Sequence, residues 1–163
     1  MENPLSLLRF TNRPSLPMLL QSEVAECGLA CMAMVASYHG HQLDLNSVRR
    51  YYPISLRGTN LQHLSELADR LGFSCRALRL ELGEMGQLQL PAILHWDLNH
   101  FVVLKKVTDT GVIVHDPAHG VRTYTFAEAS KHFSGVALEL QPSTKFEKKD
   151  EREKLPLGPI IKK

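Results

Sequence analysis

The chain has 163 residues, of which 44% are apolar and 22% charged, and a formal net charge of +2. That length fits about one domain, the composition excludes a disordered chain, and the near balance of charge gives no reason to expect nucleic acid as a partner. Cys27, Cys31 and Cys75 lack the spacing of a disulfide framework, and no run approaches the roughly 18 apolar residues of a membrane span.

The N-terminus does not read as a signal peptide, because Glu2, Pro4, Arg9 and Arg13 break any apolar stretch. A reducing compartment follows from the cysteine usage. Residues 1–14 read as an extended lead-in. The first helix is expected over Cys27–Tyr38, where Cys27, Ala30, Cys31, Met34, Val35 and Tyr38 recur at three and four and Gly40 gives the stop. A short helix follows from Asp44, its N-cap, to about Tyr51, ahead of Pro53. A third runs from Thr59 or Asn60 to Leu71, with Leu61, Leu64, Leu67, Ala68 and Leu71 on one face.

The period then changes to two. Strands are expected at Phe73–Leu80, Ala92–Trp96, His100–Val107, Gly111–Asp116, Arg122–Thr125 and Val136–Leu140, with a short helix at about Phe126–His132. Helices first and an antiparallel sheet second is an α+β order. The mixed charges of Lys145–Lys154 read as a solvated linker, so the folded unit is expected over 15–142 and a charged linker over 143–163.

Cys27 opens the first helix, where outward backbone N–H groups and the helix dipole favour a thiolate. Gly28 beside it would let a substrate backbone approach, and the Gln21 amide upstream could donate to a developing oxyanion. Read alone, Cys27 fits better as a small buried apolar residue that starts a core helix, since free cysteine is among the most buried residue types. Cys31 and Cys75 read as core. A thiol nucleophile needs a base and an orienting group. Of eight histidines, His100 stands out because it opens an apolar strand that forms a hairpin with Gly111–Asp116. With the turn centred on Thr108, Leu104 faces Val112, Val102 faces Val114 and His100 faces Asp116. That pairing lets Nδ1 bond Asp116 and leaves Nε2 for the thiol. A metal site built from His95, His100, His115, Asp116 and His119 is the weaker reading, since HExxH and CxxC patterns are absent.

Gln21, Glu26-Cys27-Gly28, Ala30-Cys31, then Asn99-His100-Phe101-Val102-Val103-Leu104, then His115-Asp116-Pro117-Ala118 together resemble the bacteriocin-processing peptidase domain of colicin V–type exporters. The resemblance covers about residues 15–140. It implies a papain-like cysteine peptidase with N-terminal helices packed on a C-terminal antiparallel sheet, and no cofactor. It places the nucleophile at Cys27, the base at His100, the orienting carboxylate at Asp116 and the oxyanion donor at Gln21. The implied substrate is a bacteriocin or microcin precursor whose double-glycine leader is removed after a small pair, which requires a narrow cleft; Gly28, next to the nucleophile, and Trp96, before the His100 strand, are the candidates for lining it. The implied partners are the transmembrane and nucleotide-binding domains of a parent ABC transporter, at the cytoplasmic face of a bacterial inner membrane. No Walker A pattern occurs, so an excised peptidase domain is expected. A leader-docking domain that does not cut, or another chemistry on the same triad, are the alternatives.

Overall fold

A computed structural model describes residues 14–53 and 60–153. After a 3₁₀ turn at Val24–Glu26, helix α1 spans Cys27–Tyr38, followed by β1 (His41–Gln42), α2 (Leu45–Tyr51) and α3 (Leu61–Arg70). The second half holds β2 (Phe73–Arg79), a 3₁₀ segment at Leu82–Gln87, β3 (Ala92–Trp96), β4 (His100–Val107), β5 (Gly111–Asp116), β6 (Gly120–Thr125), α4 (Phe126–Ala129), β7 (Phe133–Pro142) and β8 (Lys149–Asp150). The expected start of α3 at Thr59 lies outside the described residues; Asn60 is the N-cap, its side chain accepting from the His63 N–H.

The six-stranded antiparallel sheet has the order β2-β7-β3-β4-β5-β6. Period-two alternation sorts its side chains between two cores. Ile93, Phe101, Val103, Leu138 and Leu140 pack with the helices. Leu94, Trp96, Val102, Leu104, Val112 and Val114 form a second core with Met85, Leu88 and Ala129. Helix α1 sits centrally in the first core. Ten of its twelve residues are buried, so it is apolar all round, not along a single stripe.

Two expectations need correction. The hairpin of β4 and β5 is shifted by two residues from the expected register: Leu104 pairs with Val114 and Val103 with His115. The turn lies further along the chain than expected, so that Val107 pairs with Val112 and Lys106 with Ile113, three residues off; the bulge between Leu104 and Lys106 then takes one residue back, and Lys105 and Lys106 are both exposed, where an extra residue costs no core packing. Because the shift is even, each side chain keeps its face.

The packed chain also runs past the expected end at Pro142. Phe146 lies against Phe73 at a ring separation of 4.9 Å, and β8 pairs in parallel with β1. The Glu151 carboxylate bonds His41 Nε2 at 2.5 Å and the Tyr52 hydroxyl at 3.1 Å. Gly72 permits this return: its φ is +91°, and a Cβ there would lie 2.7 Å from Phe146 Cα. A charge-rich composition concealed one aromatic anchor and one carboxylate with buried partners. Among the described residues, no helix is long and apolar enough to cross a membrane.

Candidate active site

The 3₁₀ turn at Val24–Glu26 delivers the chain into α1 so that Cys27 is the first helical residue, 4% exposed. Gly28 follows in the same turn, also buried. His100 begins β4 and Asp116 ends β5, adjacent strands of the sheet. Continuing the observed register puts Asp116 across from Val102, with His100 two residues further on the same face. This diagonal relation still brings His100 Nε2 within 2.6 Å of Asp116 Oδ1. The ring is thus turned the opposite way from expectation: Nε2 meets the carboxylate, and Nδ1 is left for the hydrogen bond to Cys27. A diagonal approach, longer than a direct cross-strand one, is spanned by the far nitrogen of the imidazole.

Asp116 is 2% exposed and accepts three hydrogen bonds. Besides His100, the Ala118 N–H donates to Oδ1 at 2.8 Å and His119 Nδ1 lies 3.0 Å from Oδ2. Burial alone would push the pKa of this carboxyl up, but the bonds from His100, Ala118 and His119 outweigh it and hold the group down at about 2. For His100, burial favours the neutral ring, and the hydrogen bonds and charges of Asp116 and Cys27 overcome it and push the imidazolium up to about 9. Asp116 on one side of the ring and Cys27 on the other both favour the charged imidazolium. Cys31, one turn beyond Cys27, is fully buried and its thiol is pushed well up by desolvation, so it stays neutral. Cys75 is half-buried on β2, where burial also raises it, and lies 3.7 Å from Ser65 Oγ.

Gln21 precedes the turn, and its backbone N–H donates to the Pro117 carbonyl at 2.8 Å. This bond ties the loop before Cys27 to the loop after Asp116. The side-chain Oε1 of Gln21 is buried without a hydrogen-bond partner.

Trp96 does not line a cleft. It is 1% exposed, stacked on His132 at 5.3 Å and tilted against Tyr124 at 5.4 Å within the second core. Its position beside His100 in sequence misled because β3 and β4 pair Trp96 with His100 on the face covered by α4 and the β6 side chains. The His95, His115 and His119 side chains diverge, to Ser134, the Pro17 carbonyl and Asp116 respectively. Among the described residues no three His, Cys, Asp or Glu groups converge as metal ligands. Two contributors were not anticipated. His119 is the second histidine on Asp116, and Asp-Pro-Ala-His is a sequence in which an Asp side chain caps its own turn. Glu26, beside the nucleophile, is 8% exposed and paired with Arg49; only its adjacency to Cys27 marked it.

Residues 15–145 match the Peptidase C39 family. The chain belongs to that cysteine peptidase family. This C39 domain is 44% identical over 149 residues, 91% of the chain, to the "Probable microcin-H47 secretion/processing ATP-binding protein MchF" of Escherichia coli. It is 42% identical over 154 residues, 94% of the chain, to the colicin V secretion/processing ATP-binding protein CvaB of the same organism. It spans about a fifth of the length of these relatives, 21% and 22% respectively. The crystal structure of a double glycine motif protease from an AMS/PCAT transporter, in complex with the leader peptide, superposes with a TM-score of 0.73 at 32% identity. That likeness covers 80% of the C39 domain and 94% of the other chain. The expected α+β fold of papain type agrees with this match.

Proposed function

We propose that this C39 domain is an endopeptidase that removes the leader of a bacteriocin or microcin precursor by cutting after a double-glycine-type small pair. The observation that carries this reading is the relay from Asp116 through His100 to Cys27, with the His100–Asp116 bond at 2.6 Å. The double glycine protease bound to its leader peptide, and the secretion/processing proteins of Escherichia coli, support the substrate class.

In this scheme the Cys27 thiolate attacks the carbonyl of the second small residue and His100 Nδ1 protonates the departing amine. Asp116 holds the ring through Nε2 and keeps the imidazolium charged. The Cys27 backbone N–H and the Gln21 amide, turned so that its N–H₂ end faces the thiol, receive the oxyanion; one such donor typically contributes about 3 kcal/mol. Water then hydrolyses the thioester that joins the leader to Cys27, releasing the leader with a free carboxyl terminus and restoring the thiol. Gly28 leaves room for the substrate backbone beside the nucleophile. In a longer protein the domain would work beside transmembrane and nucleotide-binding domains of an ABC transporter, on the cytoplasmic side where precursor is made.

A synthetic precursor peptide spanning the leader, a Gly-Gly pair and the first mature residues tests the reading by mass spectrometry. Cleavage after the second glycine, abolished in Cys27→Ala, is expected. Binding of the intact peptide without cleavage would overturn it in favour of a docking module.

A further inference from the structure

Glu26 is a buried carboxylate next to the nucleophile, and none of the steps above uses it. Its exposure is 8%, and Arg49 of α2 grips it with two hydrogen bonds, from Nε to Oε2 and from Nη2 to Oε1 at 2.7 Å. Arg49 is itself steadied by Asn46 Oδ1, which accepts from Nη1 at 2.7 Å. On its other side Glu26 Oε1 accepts the backbone N–H groups of Ser22 at 3.2 Å and Glu23 at 3.0 Å. One carboxylate therefore gathers the loop that begins at Gln21 and ends at Cys27.

Hydrogen bonds hold this loop, among them the Glu26 N–H to the Glu23 carbonyl at 3.1 Å, and the Glu26 carboxylate ties it to α2. Ser22 and Glu23 are exposed, and Val24 is 89% exposed, so side-chain burial does not fix its path. Its upstream end is pinned by the Gln21–Pro117 backbone bond. An oxyanion donor must meet its target within a few tenths of an ångström, and a flexible amide on an untethered loop would not.

We infer that Arg49 is a positioning residue for catalysis: by pairing bidentately with Glu26 it fixes the Gln21–Glu26 loop and so sets the oxyanion donor against the Cys27 thiol. This rests on the proposed role of Gln21. The guanidinium fork suits two carboxylate oxygens at once, which an ammonium cannot match. Removing Arg49 leaves a buried carboxylate without its cation, and the cheapest relief is for Glu26 to turn to solvent and release Ser22 and Glu23. Neither His100 nor Asp116 touches Arg49, so the thiol–imidazole pair survives.

Two readouts separate this role from a merely structural one. Turnover of the double-glycine peptide needs the oxyanion donor, whereas alkylation of Cys27 by iodoacetamide needs only the thiolate. Arg49→Ala is expected to lower kcat about ten- to hundredfold with KM within about twofold, less than the roughly 10²–10³ of deleting a donor outright. Its Cys27 alkylation rate is expected to stay within about twofold of the unchanged protein. Arg49→Lys should recover part of kcat. Glu26→Gln, which keeps an oxygen for Ser22 and Glu23, should lose less than Glu26→Ala and serves as the readout if Arg49→Ala does not fold. Unchanged kcat in Arg49→Ala, parallel loss of kcat and alkylation, or equal losses in Glu26→Gln and Glu26→Ala would each overturn the inference. Cleavage by the unchanged protein tests the substrate, and the ratios among variants test Arg49, so the two readings fail separately.

Discussion

Asp116→Asn removes a charge and leaves the outline of the side chain intact. In the unchanged domain the His100 imidazolium is held at about 9 instead of its ordinary 6.5, which corresponds to roughly 3 kcal/mol in favour of the charged ring. Asp116 and Cys27 share that effect, so loss of the carboxylate charge should remove between about 1.4 and 3 kcal/mol. The protonated ring would then be lost at lower pH, and kcat/KM at pH 8 should fall about two- to fifteenfold. Because Asp116 itself ionises at about 2, it stays charged through the working range and the acid limb is not its own. The assay is kcat/KM against pH from 5 to 10 with a fluorogenic double-glycine peptide, paired with iodoacetamide alkylation across the same range. The alkaline limb should move from near 9 towards 6.5 in both. If both limbs stay near 9 and kcat/KM is unchanged, Asp116 does not govern His100 and the relay is wrong.

Other outcomes follow from the same geometry. Cys27→Ala should abolish cleavage and leave the thermal melting temperature within a few degrees of the unchanged domain, measured by circular dichroism. The elevated His100 imidazolium stabilises the fold fully below about 6.5 and loses that contribution as pH rises through about 9, while depressed Asp116 contributes above about 3.8 and loses it as pH falls through about 2. Melting temperature should therefore fall between pH 7 and 9.5 more steeply in the unchanged domain than in His100→Ala. Phe146→Ala should cost about 2 kcal/mol in urea unfolding, below the 3–5 of a fully enclosed phenylalanine, because its ring is only partly buried. A loss under about 0.5 kcal/mol would mean the C-terminal segment is not held by that ring.

Most of the fold could be read from residue order because local signals agreed with one another. Asp44 and Asn60 do cap their helices, and the periodic runs Ala92–Trp96, His100–Val107 and Gly111–Asp116 are strands with those bounds. Cys27, His100 and Asp116 were legible as a constellation because alternation put the last two on one face, and an even register shift preserves faces. The orientation of the His100 ring was not legible, since it depends on the placing of the turn after Val107 and on a bulge at exposed lysines, neither of which carries a hydrophobic signature. Trp96 failed for a related reason: adjacency to a site residue says nothing about which side of a sheet is covered. Residues Phe146 and Glu151 were hidden in a run whose charge suggested solvent, and only their distant partners Phe73, His41 and Tyr52 reveal them. Long-range partners leave no imprint on local composition.

The parallel pairing of β1 with β8 also fixes where mechanical load enters the domain. Lys149 N–H donates to the Gly40 carbonyl, Glu151 N–H to the Gln42 carbonyl, and Glu153 N–H to Asp44 Oδ2. Tension on the chain beyond Glu153 would pass along these bonds into the turn that follows α1. The twelve residues of α1, about 18 Å of buried helix, lie between that turn and Cys27. A tether attached there would also pull on α2, through its N-cap Asp44 and the Arg50–Glu153 pair, and α2 carries the Arg49 that holds Glu26 beside Cys27.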